Sequence, residues 1–191
     1  MIKTFPIALL ILLAACASIP AVPPAAADGV PPTTVIIVRH AEQQQEAGSD
    51  PPLAPEGVTR AGDLARLASD ARISAIYVTQ YLRTRATAEP TAQALEIPIT
   101  EFRVEGPDIS AYAAALARQV VADNRGQAVL IISHSNTVPA IVEAFTGIAT
   151  DPIDHDEFDR LHVVIVPAAT PVQHIQARYG PPGQAANSMH P

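Results

Sequence analysis

Two kinds of apolar block alternate along the chain. Short continuous runs rich in β-branched residues, Val35–Val38, Ile73–Val78, Ala128–Ile132 and Leu161–Val166, read as buried strands. Ile97–Phe102 reads as a shorter strand, and Val172–Gln176 as one following the last. Between these runs the apolar residues take helical spacing. Pro55-Glu56-Gly57 opens a helix to about Ser69, with Ala61, Leu64, Ala65 and Ala68 on one face. Leu82 to Leu95 reads as a second helix, interrupted or ended near Pro90. Ser110 is the expected N-cap of a third, running to about Asn124 and stopped by Gly126. Thr137 to Phe145 is the fourth. Strands alternating with helices predict an α/β fold with a largely parallel sheet.

The flanks of this region differ in composition. Lys3 precedes a short apolar run, Ile7 to Leu13, too short to span a bilayer comfortably. The run ends Leu13-Ala14-Ala15-Cys16, which resembles the lipobox of bacterial lipoproteins. That resemblance implies a signal peptide over residues 1–15, cleaved before Cys16, and a lipid on the Cys16 sulfur. The Pro- and Ala-rich stretch to residue 32 reads as a tether, residues 33–178 as the domain, and 179–191 as a disordered Gly/Pro-rich tail. The expected location is the bacterial envelope, facing the periplasm. Ala17 after the cysteine favours the outer membrane, by the pattern of lipoprotein families generally.

Composition narrows the chemistry. Of 191 residues 48% are apolar, enough for one domain with a sizeable core, and the formal net charge is −7. Lys3 is the only lysine, which excludes Schiff-base chemistry and a P-loop lysine from the domain. An acidic chain is a poor coat for nucleic acid, so no nucleic-acid partner is expected. Any anion site must gather arginines and histidines locally. Cys16 is the only cysteine, so no intramolecular disulfide forms.

Three strands end in residues suited to such a site. Val35–Val38 runs into Arg39-His40, Ile73–Val78 into Thr79-Gln80-Tyr81-Leu82-Arg83, and Ala128–Ile132 into Ser133-His134-Ser135-Asn136. Carboxyl ends of parallel strands share one edge, where α/β folds place ligands, and the following helices present N–H groups there. Arginine forks fit phosphate oxygens, and a histidine can act as nucleophile, acid or base near neutral pH. Together they predict a pocket for a tetrahedral dianion.

These segments resemble the histidine phosphatase superfamily, with its phosphoglycerate mutase-like fold, a three-layer α/β/α sandwich. The family's Arg-His-Gly signature appears as Arg39-His40-Ala41-Glu42, and its Leu-x-x-x-Gly segment as Leu53-Ala54-Pro55-Glu56-Gly57. Its Ser-x-x-x-Arg block appears as Thr79-Gln80-Tyr81-Leu82-Arg83, continuing to Ala88, and its second histidine as His134. The compact length resembles the small SixA-like branch. The resemblance implies that His40 is the nucleophile and carries a transient phosphohistidine. Arg39, Arg83 and His134 would clamp the phosphoryl oxygens, with Ser135 and Asn136 as further substrate-binding residues. No metal or cofactor is implied, since arginines do the charge work.

Three departures bear on the chemistry. Ala41 stands where the family has Gly and is expected to set a methyl beside the phosphate; Thr79 replaces Ser. The carboxylic acid that protonates the leaving oxygen in many members has no clear match, and Glu105 and Asp108 are the candidates. Gln43–Pro52 and Val104–Ala111 are expected to border the pocket. Asp151, Asp154, His155, Asp156 and Glu157 match no metal spacing and read as a charged turn. Arg85 reads as a surface or salt-bridge residue, and His162 and His174 as structural. The expected function is hydrolysis of a phosphomonoester or phosphoramidate, from a phosphorylated small molecule or phosphoprotein. The alternatives are a catalytically idle lipoprotein that binds a phosphorylated ligand or partner, and a phosphomutase. Oligomeric state is silent in the sequence.

Overall fold

The computed structural model describes residues 29–45, 48–167 and 171–182. The expectations for residues 1–15, Cys16, the tether as far as residue 28 and the tail beyond Pro182 lie outside these residues.

Six strands form one sheet: β1 (Thr33–Arg39), β2 (Ala75–Val78), β3 (Ile99–Glu101), β4 (Ala128–Ser133), β5 (Arg160–Val166) and β6 (Gln173–Arg178). Their spatial order is β3-β2-β4-β1-β5-β6. The first four are parallel to one another, while β5 and β6 run antiparallel. Among the described residues four helices complete the fold: α1 (Pro55–Asp70), α2 (Leu82–Leu95), α3 (Ile109–Asp123) and α4 (Val138–Thr146).

The central strands are unbroken apolar runs because both faces of the sheet are covered. Alternation along β1 assigns the two sides. Val35 and Ile37 join a cluster with Leu116 and Val120 of α3 and Ile141 and Phe145 of α4. Ile36 and Val38 join another with Leu64 and Ala68 of α1 and Ala88 of α2. This is a three-layer α/β/α arrangement with few aromatics. It leaves the carboxyl ends of β1, β2 and β4 side by side, with Arg39 paired to Ser133 in the β1–β4 register.

Several boundaries differ from the sequence expectations. Pro90 lies inside α2 without ending it; the helix stops at Glu96, in the left-handed region with φ 55°, whose N–H bonds to the carbonyl of Ala92. The cap of α3 is Asp108, not Ser110: its carboxylate accepts from the N–H of Ala111 at 2.9 Å. Order also continues past Arg178. Tyr179 is buried, and the carbonyls of Tyr179 and Pro181 accept from Nη1 and Nη2 of Arg60 at 2.9 Å each. Arg60 is itself only 2% exposed and pairs with Glu42 at 2.7 Å, so a buried guanidinium ties this segment to the residues just after His40. Gly57 is fixed by the same packing, since a Cβ there would lie 2.1 Å from the carbonyl oxygen of Glu42.

Candidate active site

The shared strand edge opens on a cleft of about 330 Å³. Arg39, His40, Arg83, His134, Ser135 and Asn136 all line it. Six sequence-predicted residues, up to ninety-seven positions apart, therefore meet around one cavity.

His40 follows β1 directly, its N–H bonded to the carbonyl of Ser133 at 2.9 Å. Its Nδ1 sits 2.8 Å from the carbonyl oxygen of Ala41. A carbonyl only accepts, so Nδ1 carries the proton and Nε2 keeps its lone pair. Burial above all pushes the His40 pKa down to about 3; the Ala41 carbonyl opposes it, and the nearby His134, Arg39 and Arg83 add smaller lowering effects. The imidazole is neutral at physiological pH.

Ala41 does not place its methyl at the phosphate site. It is fully buried against Leu53 and Ala61, and its N–H bonds to Thr87 Oγ1 at 3.0 Å. The residue serves packing behind His40.

His134 lies across the cleft, its ring centroid 5.3 Å from that of His40. Arg83 Nη2 donates to its Nδ1 at 3.3 Å, and a guanidinium only donates. Nε2 therefore carries the proton and donates to Thr79 Oγ1 at 2.9 Å. Thr79 passes the chain on to Thr84, whose hydroxyl bonds to the Tyr81 carbonyl at 2.8 Å. Behind β4, Thr137 Oγ1 accepts from the His134 N–H at 2.9 Å and holds the turn into α4. Burial and then Arg83 and Arg39 lower the His134 pKa to about 3.

The two arginines are held differently. Arg39 Nη1 donates to three carbonyls, those of Asp154, His155 and Glu157, at 2.8 to 3.0 Å. Its guanidinium stacks over Phe158 at 3.9 Å, and burial above all lowers its pKa to about 10, so it remains charged. Arg83 lies over the Tyr81 ring at 4.4 Å, and its Nη1 bonds to Asp50 at 3.3 Å. Asp50 also accepts from the N–H of Leu82, capping α2 from a distant loop. In both arginines Nε is buried and bonds to no described residue. Both arginines line a cleft with no acidic residue among its described lining, an arrangement that suits an oxyanion.

The candidate acids stand elsewhere. Asp108 is committed to the α3 cap, and Glu105 is exposed; neither lines the cleft. From their loop only Val104 does, and among the described residues of Gln43–Pro52 only Gln43. Gln43 also lines a neighbouring cavity of about 430 Å³ with Asp156 and Phe158. Sequence reasoning missed Asp50 and His155. Asp50 carried no signal, and His155 was read into a charged turn. Within that turn Glu157 pairs with Arg160 at 2.6 Å and Arg178 at 3.0 Å. Arg85 pairs with Glu101 at 3.6 Å, and His162 stacks on His174 with Nδ1 and Nε2 2.9 Å apart.

Residues 35–103 match the family described as the Histidine phosphatase superfamily (branch 1). No curated protein sequence matches the chain. Among solved structures the chain is similar to the protein histidine phosphatase SixA complexed with tungstate, at 24% identity and a TM-score of 0.58, covering 76% of this chain and 96% of that one. A mycobacterial glucosyl-3-phosphoglycerate phosphatase matches at 11% identity and a TM-score of 0.61, over 76% of this chain and 97% of that one. YhfR of Bacillus stearothermophilus matches at 18% and 0.60, over 76% and 96%. At these identities the likeness to the structures is one of fold. The match over residues 35–103, spanning β1 to β3, and the likeness in fold to solved phosphatases support reading the chain as a histidine-type phosphatase.

Proposed function

We propose that the protein hydrolyses phosphomonoesters or phosphoramidates through a phosphohistidine at His40, drawing its positive charge from Arg39 and Arg83. The observation that carries this reading is the Nδ1 bond of His40 to the Ala41 carbonyl, 2.8 Å long, on a neutral ring lining the arginine cleft. Nε2 is then the free nucleophile. Its lone pair forms the N–P bond as the P–O or P–N bond to the leaving group breaks. Water next cleaves the N–P bond and releases phosphate. The two arginines and His134 offset the charge spread over the equatorial oxygens, with Ser135 and Asn136 at the same wall. Hydrolysis is favoured over mutase chemistry because a mutase must shield its phosphohistidine from water, and only Val104 of the β3–α3 connection reaches the cleft.

The test is a screen of the soluble form beginning near Ala21 against aryl, sugar and nucleotide phosphates and phosphohistidine, beside His40→Ala. Turnover by the wild type and none by the variant is expected; unchanged hydrolysis in His40→Ala rejects the assignment.

The envelope assignment belongs to the proposal as well. Its support is the Leu13-Ala14-Ala15-Cys16 ending after an apolar run. Loss of the protein from the membrane fraction in Cys16→Ser is the expected result, and unchanged fractionation rejects it.

A further inference from the structure

Among the described residues the cleft brings a histidine nucleophile but no carboxylic acid. Its lining, among the described residues, includes no aspartate or glutamate at all. An alkoxide leaving group needs a proton, and the titratable donors among the described lining residues, the arginines aside, are His40, Tyr81, His134 and His155. His40 is the nucleophile. His134 has both nitrogens engaged, by Thr79 and Arg83, and Tyr81 packs its ring on Arg83 and His134. His155 is exposed at the cleft, and its side chain bonds to no described residue.

The position of His155 is fixed by its surroundings. Arg39 Nη1 gathers the carbonyls of Asp154, His155 and Glu157. The Glu157 N–H closes the turn on Asp154 at 3.1 Å, and the Glu157 carboxylate is clamped by Arg160. A buried phosphate-site arginine thus doubles as the hub of the turn that presents this imidazole. An adjoining cavity shares Gln43 with the cleft and is lined by Asp156, the residue after His155, together with Glu42 and Glu56.

We propose that His155 is the general acid and base of the reaction, a role that rests on the phosphohydrolase reading above. As the His40 Nε2–P bond forms and the P–O bond breaks, the His155 imidazolium gives its proton to the departing oxygen, and the alcohol leaves neutral. The neutral imidazole then takes a proton from the water that attacks phosphorus. The N–P electron pair returns to His40, phosphate departs, and His155 is again protonated.

Leaving-group dependence tests this directly. Phenyl and p-nitrophenyl phosphate match closely in shape, but phenolate leaves far less readily without a proton. The measurement is kcat/KM for both substrates in the wild type, His155→Gln and His155→Ala. The expected result is a loss of about a hundred-fold on phenyl phosphate, with p-nitrophenyl phosphate changed by less than about threefold. Equal losses on both substrates, as a merely structural role would give, or no loss on either, overturn the proposal. Hydrolysis of p-nitrophenyl phosphate by the wild type, abolished in His40→Ala, upholds the phosphohydrolase reading independently of how His155 behaves.

Discussion

Thr79 Oγ1 lies 2.9 Å from Nε2 of His134, and that bond decides which nitrogen of the histidine looks toward Arg83. In the sequence Thr79 stands where the resembled signature has serine. Its hydroxyl is the part that matters, and the methyl is spare volume at the end of β2. Thr79→Ala is expected to lower kcat/KM for an aryl phosphate about tenfold, the worth of one positioning hydrogen bond to a reacting group. Thr79→Ser should stay close to wild type. Equal losses in the two variants would show that packing, not the hydroxyl, is at stake.

Arg39 and Arg83 should separate in their effects on stability. Among the described residues Arg83 makes side-chain hydrogen bonds only to Asp50 and His134. Arg83→Ala is therefore expected to cost roughly a hundred- to a thousand-fold in kcat while leaving the urea midpoint nearly unchanged. Arg39 also supports three carbonyls of the turn before β5. Arg39→Ala should abolish turnover and in addition lower stability by roughly 3 kcal/mol, since charged hydrogen bonds are lost and carbonyls are left unpaired. Equal stability of the two variants would contradict the structural role given to Arg39.

Acid should destabilise the fold through histidines buried in neutral form. Burial first, then neighbouring positive groups, lowers His40 and His134 to about 3 and His162 to about 4. These groups bind protons more readily in the unfolded chain, where imidazole titrates near 6.5. Their contribution is thus intact above the unfolded value and is lost as pH falls toward the folded ones. Each adds a slope of up to roughly 1.4 kcal/mol per pH unit in that window. Urea unfolding at pH 7 and at pH 4.5 measures it, and equal stability at the two values contradicts the burial of neutral rings.

The legible parts of this protein were those written in consecutive residues. Val35–Val38 and Ala128–Ile132 announced central strands because a doubly covered sheet demands unbroken apolar runs. Parallel pairing then carried Arg39-His40, Arg83 and His134 to one edge. What escaped depends on contacts between distant loops. Asp50 caps α2 from across 32 positions, and nothing in its own neighbourhood marks it as a cap. His155 reaches the cleft because Arg39 holds its backbone, a contact 116 positions long. Asp108 offered two chemistries, acid or cap, and the α3 start claimed it. Tyr179 looked like the first residue of a tail because its partner Arg60 sits on α1.

A covalent phosphoryl group on one nitrogen is the centre of the account. The most direct measurement is a quench of enzyme in turnover with a phosphorus-labelled aryl phosphate into alkaline denaturant, followed by peptide mapping. The account predicts acid-labile, alkali-stable label on the peptide containing His40, formed as fast as turnover and absent in His40→Ala. Turnover with no trapped label, or label on a peptide that lacks His40, would contradict it.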